Sequence, residues 1–176
     1  MRVRRVVQPL VAAGLLGLAA CGPNGGDPAP TSVPSVSAPA PPDAPRSPAA
    51  DPTSPEAAAD VVRAYYRDLN RRAYESAFER WGPDGPPDQT YDAFVTGFAE
   101  TASVSASVGE PSALEGAAGS VYVTVPTVVT AETTGGAEQR FEGTYVLRRV
   151  NDVPGAQPWQ LRWHIEGADL REVAGT

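Results

Sequence analysis

Lysine is absent from this 176-residue sequence, and cysteine, histidine and methionine each occur once. One cysteine leaves no disulfide within the chain, and one cysteine with one histidine is too few for the usual zinc clusters. The missing lysine, alongside abundant alanine, glycine, proline and arginine, reads as coding bias in a GC-rich genome and carries no functional meaning. Aromatic residues make up only 7% and apolar residues 41%, which suffices for one modest core but not two. Also absent are a Gly-x-Ser-x-Gly elbow, a phosphate loop and a dinucleotide fingerprint. Nucleophilic and cofactor chemistry therefore have no visible support, and no cofactor or metal is expected.

What is present begins with a three-part leader. Basic Met1-Arg2-Val3-Arg4-Arg5 precedes apolar Leu10 to Gly17, and small residues follow. That is the layout of a secretory signal peptide, and the apolar stretch falls short of the roughly 20 residues a membrane span needs. Its last four residues, Leu18-Ala19-Ala20-Cys21, resemble the lipobox of bacterial lipoproteins. The resemblance implies that residues 1–20 are removed, with Leu18, Ala19 and Ala20 flanking the cut. Cys21 then carries a diacylglyceryl group and becomes the first residue. Acyl chains contribute about 0.8 kcal/mol per buried methylene, and several together hold a protein on a bilayer. The expected location is the cell envelope, anchored to a membrane and facing the periplasm or the extracytoplasmic side. Gly22 is not the aspartate that retains lipoproteins at the inner membrane of enteric bacteria, so by resemblance the outer membrane is favoured where there is one.

Without Arg2, Arg4 and Arg5 the mature chain has 11 arginines against 21 acidic residues, a formal charge of −10. Phosphate backbones and anionic lipid surfaces repel such a chain, which excludes nucleic acid as an expected partner. Eleven of the 19 prolines lie between Pro23 and Pro55. Residues 21–53 are therefore expected to be the lipidated cysteine and a disordered tether rich in proline, alanine and serine. Its residues 22–53 reach about 100 Å if fully extended.

Periodic apolar patterning starts only at Ser54-Pro55-Glu56, an N-cap, first-turn proline and early acid. Ala58, Val61, Val62, Tyr65, Tyr66 and Leu69 follow at helical spacing. A second helix is expected around Tyr74 to Trp81, broken by Gly82-Pro83-Asp84-Gly85-Pro86-Pro87, and Tyr91, Phe94, Val95 and Phe98 mark a third. After residue 100 the period becomes 2. Four strands are expected: Thr101 to Val108, Val121 to Val125, Arg140 to Arg148, and Trp159 to Glu166. In the last, Trp159, Leu161, Trp163 and Ile165 face inward, and His164 faces away. Helices first and antiparallel strands after predict an α+β layer fold over residues 54–172.

Val62-Arg63-Ala64-Tyr65-Tyr66, Tyr91 to Phe98 and Trp159-Gln160-Leu161-Arg162-Trp163 resemble segments of the nuclear transport factor 2-like superfamily, the SnoaL- and ketosteroid-isomerase-like members of the cystatin-like cones. The resemblance implies three N-terminal helices packed on a curved four-stranded antiparallel sheet around a cone-shaped cavity. Members include enzymes, ligand binders and domains with no known activity, so function must come from the site.

An isomerase or dehydratase would need a base inside the cone. His164 is expected to point outward. Asp60 and Glu100 lie opposite the apolar faces of their helices, Asp68 on a flank, and Asp92, the least poor candidate, in a first turn where negative charge is favourable anyway. No catalytic residue is assigned. The aromatic residues Trp81, Phe94, Phe98, Phe141, Tyr145, Trp159 and Trp163 are expected to form either a pocket or plain core. Arg140, Glu142, Arg148, Arg162 and Glu166 on the outer sheet face suit a homodimer contact or solvent. The leading expectation is a non-catalytic envelope lipoprotein that binds an unidentified envelope protein or supports assembly. A binder of a small apolar ligand and an isomerase-type enzyme are the alternatives, and cavity volume and an inward carboxylate distinguish them.

Overall fold

A computed structural model describes residues 51–174 of the chain; Leu18, Ala19, Ala20, Cys21 and nearly all of the expected tether lie outside the described residues. Helix α1, Pro55–Asn70, starts as its residues dictate. The Ser54 hydroxyl accepts from the Ala57 amide at 3.2 Å, and Pro55 and Glu56 fill the first turn. One face of α1 is buried, with Ala58, Val62, Tyr65, Tyr66 and Leu69 among its residues. Short α2, Tyr74–Glu79, packs against α1, and α3, Tyr91–Gly97, is capped by the Thr90 hydroxyl. The proline-rich break after α2 turns through Gly82 and Gly85, both at positive φ. At Gly85 the Phe78 ring lies where any Cβ would stand, at 1.9 Å, so only glycine permits this turn.

The strands are β1, Thr101–Val108; β2, Glu115–Ala117; β3, Ser120–Thr133; β4, Glu138–Val150; and β5, His164–Val173. They form one antiparallel sheet in the order β1-β3-β4-β5, with β2 paired to β3. The fold is α+β, with helices against one face of an antiparallel sheet. Alternation along β3 and β4 buries Val123, Val125, Tyr145 and Leu147 on that face, joined by Ile165 of β5 and Phe94 of α3. Each such side chain contributes about 1.5–3 kcal/mol on burial.

Four expectations about the strands need correction. The sheet has five strands, the added β2 being a short exposed one. β3 runs on through Pro126 to Thr133; Pro126, which has no amide to donate, sits just beyond Thr127, where the ladder with β1 ends at Val108. In β1 a register shift between Thr101 and Ser103 breaks the alternation, so Ala102 is exposed while Thr101 and Val104 both turn inward.

The largest correction concerns β5. It begins at His164, not Trp159, and continues to Val173. A shift in pairing between Val146 and Leu147 places Ile165 opposite Leu147 but Ala168 opposite Tyr145. The odd-numbered inward phase of Ile165 thus becomes an even-numbered one at Ala168, Leu170 and Glu172. Trp159 and Leu161 belong to the preceding loop and do not line the inner sheet face.

Candidate functional site

Between α1 and the sheet the side chains leave a chamber of about 570 Å³. Tyr65, Tyr66 and Leu69 come from α1, where spacings of three and four place them on one side. Trp81 and Phe98 close the helical wall. Val104, Val129 and Ala131 line it from β1 and β3, Phe141 and Tyr145 from β4, and Ala168 and Leu170 from β5. The volume lies within the range of about 300–1,000 Å³ typical of small-molecule sites.

The polar groups in this apolar wall are few and neutral. The hydroxyl oxygens of Tyr66 and Tyr145 are hydrogen-bonded at 2.6 Å, and either can donate. Whichever donates, the other hydroxyl keeps a proton that this bond does not use. Burial pushes the ionisation of Tyr65, Tyr66 and Tyr145 well above the usual phenol value, and their closeness to one another pushes it further. The three phenols therefore remain protonated donors near neutral pH. Their rings and that of Trp81 form one cluster: Tyr65 meets Tyr66 edge-on with centroids 5.1 Å apart and Trp81 at 6.1 Å, while Trp81 meets Tyr145 at 6.3 Å. The Trp81 indole N–H is buried and makes no hydrogen bond.

Among the described residues that line the chamber, charge appears only at its exposed edge. Asp169, Arg171 and Glu172 of β5 are exposed, and Asp169 pairs with Arg171 at 3.4 Å. So open a pair contributes little. Glu172 shares the inward phase of Ala168 and Leu170. It lies at the solvated end of β5, not beside the tyrosines at depth.

The structure separates the expected aromatic set. Trp81, Phe98, Phe141 and Tyr145 line the chamber. Phe94 stands behind the wall, packed edge-on against Phe78 and Phe98. Trp159 and Trp163 are elsewhere, on a separate cleft with His164. His164 is opposite Arg148 on the outer sheet face, as alternation predicts, yet it is buried, because the Trp159 ring meets it edge-on with centroids 5.1 Å apart. Asp92 is exposed on α3 and does not line the chamber, and Asp68 is held by the Arg80 guanidinium at 2.9 Å. Sequence reasoning missed Val129, Ala131, Ala168 and Leu170 as lining residues. The alternation of Ala168, Leu170 and Glu172 with Asp169 and Arg171 was the available signal for the last two.

No protein-family model matches the chain, and no curated protein does. Among solved structures it is similar to a protein from Novosphingobium aromaticivorans named as a scytalone dehydratase, at 14% identity and a TM-score of 0.46 over 65% of this chain and 80% of that one. A likeness at that level carries no argument about this chain's function, which must be read from its own chamber.

Proposed function

We propose that this chain is a lipid-anchored envelope protein of the nuclear transport factor 2-like type whose folded domain binds one small, largely apolar molecule in the tyrosine-lined chamber. The observation that carries the reading is the chamber itself: about 570 Å³ of space walled by aromatic and aliphatic side chains around neutral hydroxyls.

The lining also describes the ligand. Its body is flat and apolar to match Tyr65, Trp81 and Phe141. It carries a neutral acceptor such as a carbonyl to take the spare proton of the Tyr66–Tyr145 pair. A free anion is unsuited, since among the described residues no cation lines the depth of the chamber and burying an unpaired negative charge is costly. Turnover is not part of the proposal. Proton abstraction needs a base within reach of the substrate, and the carboxylates on the chamber are at its exposed edge.

Membrane anchoring through acylated Cys21 rests on the leader and lipobox. Residues 22–53 then connect the anchored Cys21 to the domain that carries the chamber. Titrating the full chain with prodan, a neutral naphthalene bearing one ketone, tests the chamber reading. Saturable binding with a blue-shifted emission is expected.

A further inference from the structure

A second cleft, of about 380 Å³, shares no lining residue with the tyrosine chamber. One wall is the end of α2, where Ser76 and Glu79 lie one turn apart on an exposed face and Arg80 follows. The other is the segment from Trp159 to His164 that enters β5. Gly82 fits between them with its backbone against the Trp159 ring, where a Cβ would stand 3.4 Å from ring carbon Cζ3.

The charges in this cleft are arranged unusually. Arg80 is already committed, donating through Nε and Nη2 to Asp68. Glu79 and Arg162 are both exposed on the cleft, carry opposite charge, and form no ion pair with each other or with any described residue. The cleft is also lined by groups without charge. His164 donates from Nδ1 to the Arg162 carbonyl at 3.1 Å, which leaves Nε2 as an acceptor, and burial holds the ring in its neutral form. The Trp159 and Trp163 rings supply the apolar surface.

We infer that this cleft is a binding site for a small zwitterion of the α-amino acid class, its ammonium group directed to Glu79, its carboxylate to Arg162 and its side chain to the tryptophans. A simple anion would satisfy Arg162 but set like charge near Glu79; a simple cation would do the reverse. Only a ligand carrying both charges meets both walls, and its net charge of zero leaves neither uncompensated. The assignment is independent of what the tyrosine chamber holds.

Titrations of the full chain with L-leucine, L-leucinamide and N-acetyl-L-leucine, followed by the indole N–H resonances of its three tryptophans, test the assignment. L-leucine is expected to shift the Trp159 and Trp163 signals saturably and leave Trp81, on the other chamber, unmoved. The amide lacks the carboxylate and the acetyl derivative lacks the ammonium, so each should bind about tenfold more weakly. Arg162→Gln should abolish the preference for leucine over its amide, and Glu79→Gln the preference over the acetyl form. Both sites are exposed, so neither change endangers the fold. Equal binding of all three compounds, preferences that survive both substitutions, or no saturable shift by about 10 mM leucine would overturn the assignment.

Discussion

The hydroxyl oxygens of Tyr66 and Tyr145 are 2.6 Å apart although 79 positions separate the two residues in the chain. This bond ties the buried face of α1 to the middle of β4 at the chamber wall. Replacing Tyr145 with Phe leaves the Tyr66 hydroxyl buried without that partner, at a cost of about 1–3 kcal/mol. Replacing both with Phe should cost less than the sum of the single changes, since no orphaned hydroxyl remains. Urea denaturation of the two single variants and the double variant measures the coupling.

Asn70 joins helix to sheet in another way. Its side-chain oxygen accepts from the Val104 amide at 2.9 Å, and its side-chain nitrogen donates to the Val104 carbonyl. The amide side chain thereby supplies both hydrogen-bond groups that a neighbouring strand would offer at that point of edge strand β1. Asn70→Ala should destabilise the domain by about 1–3 kcal/mol, although Asn70 itself is exposed. Loss of amide-exchange protection at Val104 would localise the effect.

Much of the architecture is legible in the sequence because its causes are local. The N-cap Ser54, the stripe from Ala58 to Leu69 and the alternation in β3 and β4 act within one turn or one pleat. What is not legible has causes across the sheet. The bulge in β5 is a mismatch with Val146 and Leu147 on the neighbouring strand, and its local trace, apolar residues passing from Ile165 to Ala168 and Leu170, gains its meaning only from that pairing. The alternation Trp159, Leu161, Trp163, Ile165 reads as a strand, but its first half is a loop that covers His164. The chamber inherits the same limit. Tyr65 and Tyr66 lie on a visible stripe, whereas Ala168 and Leu170 join them only once the bulge has reversed the phase.

Burial lowers the His164 ionisation below its ordinary value of 6.5. The unfolded chain therefore takes up a proton at a higher pH than the folded one. The stabilisation is complete above pH 6.5 and is lost as the pH falls from there through the lower folded value. Melting temperatures recorded from pH 7.5 to 5 should decline more steeply for the native sequence than for His164→Gln, and a histidine titration by NMR should place His164 below 6.5.

Anchoring makes a separate prediction. Cys21→Ser should move the protein from the membrane fraction to the soluble fraction or leave an uncleaved precursor. Mass spectrometry of the native chain should find lipid on Cys21, and an unmodified thiol there would contradict the anchor.

Occupancy of the tyrosine chamber by a ligand is tested by comparing prodan binding to the native chain and to Ala168→Phe. Ala168 lines the chamber opposite Tyr145 in the β4–β5 ladder, so the added ring fills the space a ligand would use. With folding verified by an unchanged far-ultraviolet spectrum and a cooperative melt, the native chain should bind prodan saturably and Ala168→Phe should bind at least about tenfold more weakly. Equal binding by the two folded proteins, or none by the native chain, would contradict the account.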